Sequence, residues 1–184
     1  MSRGGGSESF LSVHSMLTLI VPVIALLLAV ISGSLLFLNY VHVLSGALWT
    51  GIDVFMGVVM SRILKAVPEE TRAQIIRKLV PVMLFMMPSL SFVTVTAGIL
   101  LVMREHLSFS SPLIIAALAI VSILSIQGFA ILLPSEIIIL RELRKSEPDI
   151  ARVVRIGMRN VYIAGSQSIF QIAIIFVMAF IVIG

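Results

Sequence analysis

The sequence predicts an all-α fold: a polytopic membrane helix bundle of about five transmembrane helices. Three observations predict it. The chain has 184 residues, of which 59% are hydrophobic and only 12% charged, more apolar surface than a soluble domain of this length can bury. Several uncharged runs reach the roughly 20 residues that cross a bilayer core as a helix. These runs are continuously apolar, whereas the strands of a membrane barrel alternate polar and apolar residues in short segments.

Residues 1–9 are small and polar and read as a disordered N-terminal tail; residues 10–184 read as a single transmembrane helical domain. The first span runs from about Leu11 to Ile31, with Pro22 tolerable inside a membrane helix. A signal peptide over the same residues is the alternative, but Arg3 alone makes a weak basic region and the apolar stretch is long, which suits a retained anchor. Gly33 and Ser34 are the only turn signal before the next apolar run, so the first hairpin is tight. The second span covers Leu36 to Ile63, and a polar connector follows. Within it Glu69 and Glu70, just after Pro68, suit a helix N-terminus and its dipole. The third span covers Leu79 to Met103, with Pro81 and Pro88 expected to bend it. The fourth covers Pro112 to Leu133 and continues past Pro134 to Arg144, with Ser135 expected to cap a renewed helix. The fifth covers Val161 to Ile183.

Charge orders these spans across the membrane. Connector 62–78 holds Arg62, Lys65, Arg72, Arg77 and Lys78, and connector 141–159 holds six further arginines and lysines. The other two connections hold Arg104 alone. An excess of basic residues marks cytoplasmic loops, so both basic connectors are expected in the cytoplasm of a cell-membrane protein. An odd number of spans then puts the N-terminus in the cytoplasm and the C-terminus outside. The net charge of +4 thus reads as topology, with the bilayer as partner and no nucleic acid. The absence of cysteine excludes disulfides, iron–sulfur clusters and covalently attached haem.

One helix face concentrates the chemistry. His42, Gly46, Trp49 and Asp53 lie at i, i+4, i+7 and i+11, within an arc of about 60° on an α-helix. Asp53 is the only acidic residue read as lying well inside an apolar span. Such groups are costly and face a bundle interior, a partner or water. Proton relay, cation site and neighbour of a cofactor are its functional readings; a hydrogen-bonded helix clamp is the plain one. His42 offers a ring nitrogen to a haem iron, or a bond to a carbonyl or headgroup. Gly46 leaves room for a flat ring or a close helix. Trp49 lies too deep for the aromatic belt, so its N–H needs an internal partner. On the fifth span Asn160, Ala164, Gln167 and Gln171 repeat the same spacing, and the two stripes are expected to face one another. Amides there serve first as interhelical glue. His106, in the connector after the third span, is expected on the same side as His42, within reach of it. Glu136 reads as an acid at the cytoplasmic helix end. Met83, Met86 and Met87 sit among Leu and Phe at helical spacing, which favours core filling over a copper site.

The run Leu38–Gly57, with His42-x3-Gly46-x2-Trp49-x-Gly51, resembles a signature shared by several small helical membrane families. These are the copper-resistance D-type membrane proteins, the haem-dependent membrane protoporphyrinogen oxidase of bacteria, and the membrane part of urate-oxidising cytochromes. The chain looks most like an uncharacterised predicted integral membrane family related to them, with Leu84-Phe85-Met86-Met87-Pro88 and Thr94-x-Thr96-Ala97-Gly98 resembling its second segment. The resemblance implies a haem-ligand role for His42 alone. The oxidase relatives also use a lysine inside a later span, where this chain has none.

The expected function is therefore a membrane b-type haem-binding protein supporting electron transfer. His42 is the metal ligand, His42, Gly46, Trp49 and His106 form the cofactor edge, and any enzymatic activity would be that of a haem-dependent membrane oxidoreductase. Two alternatives stand beside it. One is a non-catalytic accessory subunit of a larger membrane complex, or a homo-oligomer. The other is proton or cation passage using Asp53.

Overall fold

Lipid cannot satisfy backbone polar groups, so an apolar chain of this kind closes its hydrogen bonds within helices. The computed structural model describes residues 13–183; the N-terminal segment 1–9 lies outside them. The described residues contain helices and no strand. We number five: α1 (Val13–Ser32), α2 (Leu35–Ala66), α3 (Glu69–Arg104), α4 (Pro112–Leu143) and α5 (Ile150–Ile183). Helices α2 to α5 are each long and apolar enough to cross a membrane, and α1 is a shorter apolar helix. The chain is an all-α membrane helix bundle.

Two helices begin earlier than hydropathy alone indicates. The apolar run of α3 starts near Leu79, but the helix starts ten residues before it, at Glu69. Pro68 cannot continue α2, and Glu69 and Glu70 complement the exposed amides of the new helix. α5 likewise starts at Ile150, eleven residues before Val161. Its opening turns are amphipathic, burying Val153 and Val154 while Arg152 and Arg155 stay exposed. At 1.5 Å per residue α3 is about 54 Å long, well beyond a hydrocarbon core of roughly 30 Å. The excess of both helices lies at the end that carries the basic connectors, called the basic end below.

Each connection has a local cause. Gly33 turns the α1–α2 hairpin at φ +68°, which a residue without Cβ adopts freely. Ser34 then caps α2, its hydroxyl accepting from the Phe37 amide at 3.2 Å. At the basic end the Arg72 guanidinium donates back to the carbonyls of Leu64 and Val67 across the 67–68 turn. The loop between α4 and α5 closes on Glu142, which accepts from Lys145 Nζ at 2.8 Å, Arg152 Nη1 at 3.3 Å and the Asp149 amide at 3.3 Å.

Helix α4 passes through Pro134 without a break, so Ser135 does not cap a new helix. A π-helical turn over Ile126–Leu132 precedes the proline and absorbs its missing amide and its bulk. The Ser135 hydroxyl instead bonds back to the Ile131 carbonyl at 2.6 Å and accepts from Arg159 of α5. α2 holds a second π-helical stretch at Phe55–Met60.

Packing divides the bundle into two regions. α1 lies on α2 and α3, where Leu26, Ala29, Leu38, Val41, Val93 and Ala97 form a dry cluster. Ser89 and Arg104 of α3 tie it further by donating to the α1 carbonyls of Leu19 and Val30. In the second region α2, α3, α4 and α5 surround the interior. Leu90, Leu124 and Trp49 close it towards the far end, and Ile76, Val80, Ile139 and Val153 close it at the basic end.

The tightest point is Gly57 against Gly165, where α2 and α5 touch backbone to backbone. A Cβ on Gly57 would lie 2.4 Å from the Gly165 Cα, a contact no side chain can occupy. We predict that Gly57→Ala destabilises the bundle by about 1–3 kcal/mol, the usual cost of overpacking. Gly51→Ala, whose added Cβ meets nothing within 4 Å, serves as control and should be neutral. Thermal unfolding in detergent followed by circular dichroism checks both; equal melting points would refute the close crossing.

Candidate functional site

The polar stripe of α2 divides between two neighbours. Its first half faces α3. His42 is half-buried, and its Nδ1 lies 2.8 Å from the Thr94 carbonyl. A carbonyl only accepts, so in the neutral ring Nδ1 carries the proton and Nε2 presents a lone pair. The ring lies flush against Gly98, where an added Cβ would come within 2.9 Å of Cε1. Gly46 is covered by Thr94, 3.3 Å from where its Cβ would be. The gap at Gly46 therefore admits a close helix, not a flat ring. The expected face-to-face pairing of His42 and Gly46 with the α5 amides is corrected by this contact: both positions belong to the α2–α3 seam.

The second half faces α4 and α5. Trp49 is buried against Leu90 and Leu124. Asp53 has 0% exposure, and its Oδ2 accepts from Gln171 Nε2 at 2.9 Å. The Trp49 indole lies beside the same carboxyl group, yet Asp53 Oδ1 is left without a hydrogen-bond partner. No lysine or arginine stands at ion-pair distance from Asp53 among the described residues. Gln167, one turn before Gln171, donates to the Leu124 carbonyl at 3.1 Å and pins α5 to α4. Asn160 is 9% exposed, and both its amide nitrogen and its oxygen lack partners.

These groups border one cavity of about 80 Å³ inside the four-helix region. Asp53, Gln167 and Ser91 line its deep end, and Glu136 and Asn160 its basic end. Most of the remaining wall is apolar, from Met56 and Met83 to Leu132 and Ile139. The volume accommodates a short chain of waters, but it falls far below the roughly 300–1,000 Å³ of pockets that enclose a whole organic ligand. A porphyrin does not fit inside it.

For Glu136, sequence reasoning gave the basic end but missed that the side chain faces the cavity. Pro134 and the basic connector after it made Glu136 read as a terminal, dipole-compensating acid. The continuous helix carries it instead to the interior, facing the same cavity as Asp53. The signal was present: Ile137, Ile138, Ile139 and Leu140 follow it, so it sits inside an apolar run and not at its end.

His106 does not join His42. It lies beyond the C-terminus of α3 at φ +55°, exposed, eight residues past the glycine that holds the His42 ring. Six of those residues, up to Arg104, are helical and rise about 9 Å along the axis. Among the described residues no group of three or more His, Asp or Glu side chains is placed to hold a metal ion. Met86 and Met87 pack against the Trp49 cluster. No family model, curated protein or solved structure matches the chain.

The Asp53–Gln171 bond makes a distinguishing prediction. Gln171→Leu leaves a buried carboxyl unpaired and should cost about 1–3 kcal/mol. Asp53→Asn keeps an amide-to-amide bond and should cost less than half of that. Chemical denaturation of each variant in detergent measures the difference; no loss in Gln171→Leu would mean that the pair carries no energetic weight.

Proposed function

We propose that this chain handles protons inside the membrane, with Asp53 and Glu136 as the exchanging groups. One observation carries the reading. A fully buried carboxyl group with one oxygen unpartnered faces the same cavity as a second carboxyl group and an unpartnered amide. Leaving a charge at such a place is expensive, and a bound proton removes it. A metal cation suits the site less well, because calcium-like ions draw on six to eight oxygens, or about that number, and magnesium on a near-ideal octahedron. Here the oxygens are spread from the deep end of the cavity to its basic end. A proton needs only two carboxyl groups and water between them.

In this reading Gln171 positions the Asp53 carboxyl, and Oδ1 gives and receives the proton. Glu136 exchanges with the basic end, which the positive-inside rule assigns to the cytoplasm, with the N-terminus on that side and the C-terminus outside. The apolar clusters at either end of the cavity hold back bulk water, so passage requires one of them to open. The test uses the purified chain in liposomes carrying an internal pH dye and a potassium diffusion potential. Proton entry should fall by roughly 10²-fold in Asp53→Asn, as expected for removing an acid–base group, and should fall also in Glu136→Gln. Wild-type vesicles no leakier than empty ones, or variants matching the wild type, would contradict the reading.

A second reading, b-type haem binding in support of electron transfer, is favoured by His42. A metal-bound histidine usually donates its other ring N–H to a carbonyl or carboxylate, and the Thr94 carbonyl receives that N–H here. His42 would thus hold the iron through Nε2 at the α2–α3 seam, and the iron would supply one-electron chemistry there. The described residues offer His42 as the protein ligand in this reading. Reconstitution with haem should give a Soret band that His42→Ala abolishes while the fold survives. A preparation that stays colourless after haem addition would remove this reading.

A further inference from the structure

The cavity is closed along the bundle axis but not across it. Its ends are sealed by the Trp49–Leu90–Leu124 cluster and by Ile76, Val80 and Ile139. Between the two seals, the wall formed by α3 and α4 is the exposed one. Every residue from Pro81 to Pro88 on α3 is half-buried. Phe129, opposite on α4, lines the cavity and yet is 45% exposed. The segment around Phe129 is the π-helical turn, and two prolines frame the facing stretch of α3. The helix is irregular on the α4 side of this window and framed by prolines on the α3 side, and the window opens towards lipid. π-Helical turns of this kind recur at functional sites.

From this geometry we infer that the window admits the ring of a membrane-dissolved quinone, or its quinol, whose tail stays in the bilayer. The inference rests on reading the cavity as a proton-exchange site, and it names the partner of that exchange. The polar groups that lack partners select the ligand. Asn160 offers both an N–H donor and a carbonyl acceptor with nothing bound to either. A quinone brings carbonyl acceptors, and a quinol brings hydroxyl donors. Glu136, at the same end of the cavity as Asn160, supplies or takes the proton that distinguishes the hydroxyl from its anion, and Asp53 lies beyond it at the deep end.

The walls select against other lipophiles. Among the described residues no lysine, arginine or histidine lines the cavity, so a phosphate headgroup would enter without a counter-charge. A plain hydrocarbon would leave Asn160 unsatisfied. An amine would use the carboxyl groups but not the Asn160 N–H. Met83, Met87 and Phe129 give soft, flat contacts to a ring. The enclosed space of about 80 Å³ is smaller than the roughly 150 Å³ that holds a benzene ring, so the quinone ring lies in the open window with its polar edge inside.

The chain carries its own reporter, because Trp49 is its single tryptophan and lines this cavity. The full chain in lipid nanodiscs is titrated with a decyl-substituted benzoquinone, an indole quencher, while Trp49 fluorescence is recorded. Saturable quenching is expected. Asn160→Leu should weaken it about tenfold, the worth of one good hydrogen-bonding contact. Gly128→Leu should weaken it comparably by filling cavity space beside Gln167, whose Nε2 lies 3.8 Å from an added Cβ there. That second variant keeps the test decisive if Asn160→Leu fails to fold. Quenching that rises linearly with quinone, or is the same in the folded variants, would overturn the inference. So would decylamine relieving the quenching as effectively as the two-oxygen decylhydroquinone does. Proton entry into quinone-free liposomes reads the proton function alone. Its presence without saturable quenching removes the quinone site and leaves proton handling standing; its absence alongside saturable quenching removes proton passage and leaves the binding site.

Discussion

The hydrogen bond from Gln171 to Asp53 is the constraint on which the interior of this protein depends. In lipid, apolar side chains gain little by choosing one helix neighbour over another, so small residues and polar pairs decide which faces meet. Here the two devices lie close together along α2. Gly57 and Gly165 bring the α2 and α5 backbones into contact, and Gln171, six residues beyond Gly165, reaches the Asp53 carboxyl. A rotation of α5 that separated the pair would expose two buried polar groups to hydrocarbon. It would also drive side chains into the glycine crossing. The orientation of α5 in turn places Gln167 on α4 and Asn160 in the cavity.

The same arrangement leaves polar capacity unused. One Asp53 oxygen, the Gln171 oxygen and both polar atoms of Asn160 are unpartnered inside the bundle. A purely structural clamp would be expected to close such a network, since half-satisfied polar groups in a low-dielectric interior oppose stability. Asp53 and Asn160 line one cavity, with a second carboxyl group at its basic end, and this gives the region a chemical reading beyond packing. The irregular backbone follows the same geography: a π-helical turn next to Asp53, and a second one ahead of Pro134 that carries Glu136 inward.

Much of this organisation was legible in the sequence. Apolar run length identifies the spans, and the tight Gly33–Ser34 hairpin follows from the lack of any other turn signal. The matched spacing on α2 and α5 pointed to two inward stripes, and their deep ends meet at Asp53 and Gln171. What hydropathy does not report is amphipathic helix outside the hydrocarbon, so α3 and α5 begin ten and eleven residues before their apolar runs. Nor does helical spacing choose among neighbours. His42 and Gly46 share an arc with Asp53, but the small surface of Gly98 and the accepting carbonyl of Thr94 draw them to α3. The inward facing of Glu136 was missed because a proline beside an acid imitates a helix start. Only the π-helical turn, which has no simple sequence signature, lets the helix run on.

The central claim is that a carboxyl group in the bundle interior carries an exchangeable proton. Infrared spectroscopy of the reconstituted protein at neutral pH tests it most directly, because a protonated carboxyl group absorbs apart from carboxylate and amide bands and shifts in deuterated water. The account predicts such a band, its loss in Asp53→Asn, and its displacement in Gln171→Leu, where the hydrogen bond to the carboxyl is gone. A spectrum without that band, or one that Asp53→Asn and Glu136→Gln both leave unchanged, would contradict the account.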